Sequence, residues 1–82
     1  MSLRDELTGV TVASEIHAEM VANVWKVVVS PGDTVAEGDT LVILESMKME
    51  IPVLAETAGT VAELKVAEGD VVQEGDVLVT LA

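Results

Sequence analysis

Cysteine is absent from this 82-residue chain, and its only aromatic residue is Trp25, with neither phenylalanine nor tyrosine present. The lack of cysteine excludes disulfide bonds, thiolate metal ligands and a cysteine nucleophile. Half of the residues are nevertheless hydrophobic, so the core has to consist of Val, Leu and Ile, a composition typical of strands. A chain of this length forms one domain with a modest core.

Positive charge is also scarce, because 4 Lys and Arg residues stand against 15 Asp and Glu, for a formal net charge of −11. Phosphate backbones repel such a chain, which argues against nucleic acid as a partner. No apolar run approaches membrane-spanning length, and the first residues, MSLRDELTG, lack the apolar region of a signal peptide. We therefore expect no membrane association and a cytoplasmic location.

Residue types that perform catalysis or bind metals are isolated in the sequence. His17 has no His or Cys partner at ligand spacing, and Ser46 has no histidine with which to form a triad. The acidic segments 32–39 and 67–76 do not have the alternating oxygen ligands and final Glu of an EF-hand loop, and their composition is typical of turns. The sequence thus predicts no catalytic residue and no metal site, so we do not expect an enzyme that acts alone.

The two halves of the chain repeat one another. Residues 32–44, GDTVAEGDTLVIL, align with residues 69–81, GDVVQEGDVLVTL, at an offset of 37, and nine of the thirteen positions are identical. Gly-Asp pairs indicate turns between β-branched runs of strand length, since glycine permits positive φ and Asp caps backbone N–H groups. Two copies are too few for a solenoid, so the repeat predicts a closed all-β domain with pseudo-twofold symmetry.

Comparison of the copies also predicts which side chains point inward. Lys26 corresponds to Glu63, which indicates a solvated face at that position. Apolar residues alternate with this pair in both halves, and alternation along a strand places them on the opposite, buried face. These residues are Trp25, Val27 and Val29 in the first half, and Ala62, Leu64 and Val66 in the second.

The segment that joins the halves, ESMKMEIP at residues 45–52, places Lys48 between Met47 and Met49. The surrounding pattern is strand, tight turn and strand, so Lys48 is expected at or beside the tip of a hairpin. A solvated turn lysine is the plain interpretation. However, tight turns ordinarily use Asn, Asp or Gly, and exposed methionines are typical of surfaces that other proteins bind. This conflict between turn propensity and residue type favours a functional site.

The ESMKME segment and the Gly-Asp repeats resemble the biotinyl/lipoyl attachment domain family, in its biotin carboxyl carrier form. We assign residues 14–82 to the carrier domain and residues 1–13 to a flexible leader. The resemblance implies a flattened eight-stranded barrel, or barrel-sandwich hybrid, of two interlocked four-stranded sheets with the attachment lysine on the central hairpin turn. It makes Lys48 the covalent biotin acceptor. It also implies four neighbours that the ligase recognises: Glu45, Ser46, Met47 and Met49.

The function that the resemblance implies is that of a carrier. Biotin attached to Lys48 by biotin protein ligase would act as a swinging arm that moves a carboxyl group between biotin carboxylase and carboxyltransferase, as in acyl-CoA carboxylase. The short link between Val29 and Gly32 leaves no room for the protruding thumb of some bacterial carriers, which implies the thumbless form. The chain resembles small free-standing attachment proteins, and a fragment of a larger carboxylase subunit stays open as the alternative. Two alternatives stay open. One is a lipoyl or dual biotin/lipoyl carrier, for which Asp-Lys-Ala is the usual triplet, and the other is an interaction module with Lys48 unmodified.

Overall fold

The computed structural model describes residues 14–82, and within this range the chain forms strands and no helix, as the composition predicts. The predicted leader, residues 1–13, lies outside the described residues. No segment within 14–82 forms a helix of the length and apolarity needed to cross a membrane. The eight strands are β1 (Ser14–His17), β2 (Ala22–Val27), β3 (Thr34–Val35), β4 (Thr40–Ser46), β5 (Met49–Leu54), β6 (Gly59–Leu64), β7 (Val71–Val72) and β8 (Val77–Leu81).

The strands form two four-stranded antiparallel sheets with the orders β1-β8-β6-β3 and β5-β4-β2-β7. A shift of 37 residues converts each sheet into the other, because β1, β2, β3 and β4 correspond to β5, β6, β7 and β8. Each sheet contains two strands from each half of the chain, so the halves are interlocked. The predicted interlocking of two pseudo-twofold-related halves is confirmed, while the closure of the sheets into a barrel stays a prediction.

The core is aliphatic and lies between the two sheets. The interior strands β4 and β8 supply its most deeply buried side chains, which occupy equivalent positions in the repeat. Burying these side chains is the main force that holds so small a domain together. The fully buried side chains of these two strands are Leu41, Val42 and Leu44 in β4, and Leu78, Val79 and Leu81 in β8.

The four Gly-Asp pairs form turns, as predicted from the repeat. Each glycine has a φ between +90° and +94°, a conformation that side chains with a Cβ rarely adopt. Each aspartate carboxylate accepts a hydrogen bond from the backbone N–H three residues earlier, which identifies it as a structural cap. These bonds run from Ser30 N to Asp33 (2.9 Å), Ala36 N to Asp39 (2.8 Å), Ala67 N to Asp70 (2.9 Å) and Gln73 N to Asp76 (2.8 Å).

The prediction that the Trp25 side chain points inward is wrong, because this side chain is 47% exposed. The register between β2 and β4 shifts between Val24 and Lys26, so a β-bulge inserts an extra residue there. The bulge leaves Val24 buried, places both Trp25 and Lys26 outward, and returns Val27 to the core side. The equivalent shift occurs in β6, between Val61 and Glu63, so Ala62, which was also predicted to point inward, lies at the bulge and is only half-buried, outside the core cluster. A bulge that recurs in both halves belongs to the fold.

Candidate functional site

The junction between the two halves is a hairpin with a two-residue turn. Strands β4 and β5 pair up to Ser46 and Met49, so Met47 and Lys48 alone form the turn. Both turn residues have positive φ, +53° for Met47 and +65° for Lys48. Positive φ at both central positions is the signature of the type I′ turn, whose twist matches that of the flanking strands. Lys48 therefore occupies the second position of a tight, well-defined tip.

This turn uses residues that are poorly suited to its backbone. An L-residue with a Cβ in the left-handed region costs about 1–2 kcal/mol, and Asn-Gly would ordinarily occupy a type I′ turn. No other residue with a side chain in the described part of the chain has positive φ, whereas the glycines of four Gly-Asp turns do. The fold thus uses glycine wherever it needs positive φ except at this hairpin. Strain retained at these two positions indicates a function for the side chains placed there.

Relieving the strain at Met47 should stabilise the domain. We expect Met47→Gly to raise the free energy of unfolding by about 0.5–1 kcal/mol, the relief of left-handed strain less the entropy cost of glycine. Met49→Gly is the matched control, because Met49 lies in β5 without positive φ, and it should lower stability by about 0.5–1 kcal/mol. Urea denaturation measures both changes as shifts of the midpoint. Equal destabilisation by the two substitutions would contradict the strain argument.

The turn projects its side chains into solvent. Met47 is 93% exposed, Met49 is 65% exposed, and Lys48 is exposed as well. Glu45 and Ser46, at the end of β4, are half-buried. The five residues that the sequence predicts for this site therefore form one continuous hairpin end, with the amine at its tip. Whether a ligase recognises the four neighbours stays a prediction.

Lys48 differs from the other described lysines in its surroundings. Within residues 14–82, the ion pairs are His17 with Glu15 (3.7 Å) and Lys65 with Glu63 (3.1 Å), and neither involves Lys48. Lys26 lies in β2 beside the bulge, where its backbone is part of a sheet. A covalent amide at a lysine requires an exposed amine that an incoming carboxyl group can reach. Lys48 meets that requirement, so the residues present fit the predicted attachment of biotin.

The hairpin also holds a pair of like charges. Glu45 in β4 lies directly opposite Glu50 in β5, and like charges at opposed positions destabilise a sheet. Only Lys48, at the adjacent tip, offsets them within this hairpin. The sequence prediction included Glu45 but not Glu50, although the symmetric pattern E-S-M-K-M-E contained the signal. The site is thus a basic tip between two exposed methionines, flanked by two carboxylates.

Comparison with known proteins finds a matching family and several relatives. Residues 10–81 match a family profile described as biotin-requiring enzyme. A biotinylated protein TB7.3 homolog from Mycolicibacterium smegmatis is 67% identical over 43 residues, which cover 52% of this chain and 61% of that protein. A biotin/lipoyl attachment protein from Bacillus subtilis is 51% identical over 41 residues, 50% of this chain and 56% of that protein. The chain thus covers less than two thirds of these curated relatives.

Two solved structures share the fold. The urea carboxylase of Kluyveromyces lactis superposes with a TM-score of 0.80 and 33% identity over 84% of this chain, which is 6% of that protein. A single-chain, multi-domain long-chain acyl-CoA carboxylase gives a TM-score of 0.77 and 31% identity over 82% of this chain, 7% of that protein. In both cases the similarity is confined to a small part of a large carboxylase. The chain therefore belongs to the biotin-requiring enzyme family, the biotinyl/lipoyl attachment domains that its repeat and Met-Lys-Met motif predict, and biotin is the cofactor of that family.

Proposed function

We propose that Lys48 is the covalent acceptor of biotin and that this domain is a biotin carboxyl carrier. The observation that carries the proposal is the position of Lys48 in a strained two-residue turn between two exposed methionines. Relatives described as biotinylated proteins, and the likeness to parts of two carboxylases, support it. The domain itself provides no catalytic group. It provides an amine at a defined place.

The chemistry at Lys48 is the formation of one amide bond. The Nζ ammonium loses one proton, and the resulting amine attacks the carboxyl carbon of biotin, which a biotin protein ligase has activated. The activating group leaves, and Nζ loses a second proton as the amide forms. Lys48 then no longer carries a positive charge, so the hairpin keeps the charges of Glu45 and Glu50 without their neighbouring cation. The ligase has to supply both the activation and the acceptor for the proton, because no described histidine or carboxylate forms an ion pair with this lysine.

The proposed role of the hairpin is to position a long arm. Bound biotin would carry a carboxyl group from biotin carboxylase to carboxyltransferase. The strands of the hairpin give the arm a firm base, and closure of the two sheets into a flattened barrel would make that base rigid. Tethering replaces free diffusion by a high effective concentration at each active site, so the carrier contributes position to the reaction.

Intact mass measurement tests the proposal. The purified domain is incubated with a biotin protein ligase, biotin and ATP, and a parallel sample receives a lipoate-attaching enzyme with lipoate. We expect the mass to increase by one biotinyl group in the first sample. An unchanged mass there, with a control carrier fully labelled by the same ligase, would leave the domain as an unmodified interaction module.

A dual biotin/lipoyl carrier is the second candidate. The observation that favours it is the similarity to the Bacillus subtilis protein described as a biotin/lipoyl attachment protein. The residues around Lys48 argue for biotin, because lipoyl carriers usually have Asp-Lys-Ala where this chain has Met-Lys-Met. A mass increase of one lipoyl group in the parallel sample would establish dual use.

The methionines should be required for biotin transfer. We expect Met47→Asp combined with Met49→Ala to lower the initial rate of biotin incorporation at least about tenfold, the effect of losing roughly 1.4 kcal/mol of ligase binding. Asp tolerates positive φ, so the turn should persist. Trp25→Ala is the control, since it removes an exposed apolar side chain from a strand rather than from the turn. A double variant as fast as wild type would mean that an exposed lysine suffices.

A further inference from the structure

The link between β1 and β2 ends in two exposed apolar side chains. Met20 is 37% exposed and Val21 is 57% exposed, and they directly precede Ala22, the first residue of β2. Apolar side chains in adjacent exposed positions are costly to hydrate and often indicate an interaction site when they form part of a larger patch. The sequence alone did not single out these two residues.

The register of the sheet places this link beside the hairpin tip. Asn23 of β2 pairs with Glu45 of β4, so one further step of the same antiparallel register sets Ala22 beside Ser46, the last residue before the turn. Adjacent strands lie only about 4.8 Å apart. Val21 therefore leaves the sheet at the end where Met47 and Lys48 turn. The exposed residues Met20, Val21, Met47 and Met49, here called the apolar platform, share this end of the domain.

The second half of the chain shows that the fold does not require Met20 and Val21. In the pseudo-twofold copy, Thr57 and Ala58 occupy the equivalent positions between β5 and β6. The backbone of the two links is held in the same way, by paired hydrogen bonds to a buried alanine. These bonds are Ala18 N to Asp76 O (2.8 Å) and Gly75 N to Ala18 O (2.8 Å), and correspondingly Ala55 N to Asp39 O (2.8 Å) and Gly38 N to Ala55 O (2.9 Å).

The difference between the two links thus follows the position of Lys48. Where the link lies beside the hairpin, its exposed residues are Met and Val, and in the other half they are Thr and Ala. Carboxylates of Glu19, Glu45 and Glu50 flank the platform. An apolar centre with an acidic rim is complementary to a partner surface that has an apolar centre and a basic rim.

We propose that the apolar platform is the docking surface of the biotin protein ligase, with Met20 and Val21 extending the Met-Lys-Met motif onto a neighbouring strand. The inference rests on the proposed biotinylation of Lys48. The ligase is the occupant because it has to bring its active site to Nζ of Lys48, and a surface that reaches the tip of a two-residue turn also covers the adjacent end of β2. Flexible methionines suit such a contact, since they adapt to an apolar partner surface.

The test gives the first link the residues of the second. We expect Met20→Thr with Val21→Ala to raise the KM of the ligase for the carrier about tenfold, as for the loss of an apolar anchor at an interface, with kcat within about twofold of wild type. The reciprocal control, Thr57→Met with Ala58→Val, adds the same side chains to the other half and should leave both constants unchanged. A second variant, Met20→Gln with Val21→Thr, keeps side-chain size and guards against a packing effect. Circular dichroism confirms folding in each case.

The outcomes separate this inference from the proposed function. A raised KM in both Met20/Val21 variants, with the reciprocal control at the wild-type value, supports ligase docking on the platform. A wild-type KM in a folded Met20/Val21 variant overturns it, even though Lys48 is still biotinylated. If the wild-type domain takes up no biotin, the proposed function fails first. The dissociation constant of the ligase is also measured for Lys48→Arg alone and for Lys48→Arg combined with Met20→Thr and Val21→Ala. We expect the dissociation constant of the combined variant to be higher than that of Lys48→Arg alone, by the same factor as the KM.

Discussion

Replacing Lys48 with arginine is expected to abolish biotin incorporation while the domain stays folded. Arginine preserves the positive charge and the exposed position, but its guanidinium remains protonated and cannot attack an activated carboxyl group. Lys26→Arg and Lys65→Arg are matched controls, because each removes another of the described lysines while keeping the charge. Both controls should be labelled at the wild-type rate. Streptavidin binding and intact mass measure the outcome after incubation with ligase, biotin and ATP.

The result that contradicts this prediction is biotin in the Lys48→Arg variant. Lys65 is the less suitable acceptor, since its Nζ lies 3.1 Å from a carboxylate oxygen of Glu63 and donates a hydrogen bond to it. Lys26 lies within β2, so its backbone is part of a sheet, and it does not offer the ligase an exposed turn as Lys48 does. Labelling of either residue at a rate comparable to wild type would mean that the hairpin does not select the acceptor.

Truncation of a core leucine should have the second-largest effect, and the quantity that it lowers is the stability of the fold. We expect Leu44→Ala to lower the free energy of unfolding by about 2–5 kcal/mol, since Leu44 is buried and its removal leaves a cavity. Leu81→Ala, at the pseudo-twofold position, should cost a similar amount. A domain of this size has a total stability of roughly 4–12 kcal/mol, so either variant can be largely unfolded. Lys48→Ala should change stability by less than about 0.5 kcal/mol.

Thermal melts and urea titrations of the three variants measure this division of roles. The core should determine folding and the tip should determine attachment, because Lys48 contributes no ion pair within the described residues. Biotinylated and unmodified wild-type domain should therefore melt at nearly the same temperature. Equal damage from Lys48→Ala and Leu44→Ala would contradict the account.

The repeat explains why so much of the fold was predictable. An offset of 37 residues aligns turns with turns, so the repeat predicts an all-β domain of two related halves, while the number of strands and their exchange between two sheets were implied by the family resemblance. The hairpin was predictable for a related reason, since it occupies the junction of the two copies. The family motif then identified Lys48 within it.

Two features needed the structure, and each has a physical reason. Strand alternation counted back from Val27 places Trp25 inward, but a β-bulge between Val24 and Lys26 leaves both Trp25 and Lys26 facing outward, so the alternation holds after the bulge and fails within it. The apolar platform was hidden because Met20 and Val21 are distant from Lys48 in sequence and become its neighbours only through the pairing of β2 with β4. The contrast with Thr57 and Ala58 was present in the repeat, but it has meaning only once the position of each link is known.

Mapping the modified peptide tests the central claim most directly. The wild-type domain is biotinylated by purified ligase, cleaved with proteases, and its peptides are sequenced by tandem mass spectrometry to locate the biotinyl group. The account predicts one modified residue, Lys48, within ESMKME, with Lys26 and Lys65 unmodified at full labelling. Biotin located on another lysine, or spread among several, would contradict the claim that the strained Met-Lys turn is the attachment site.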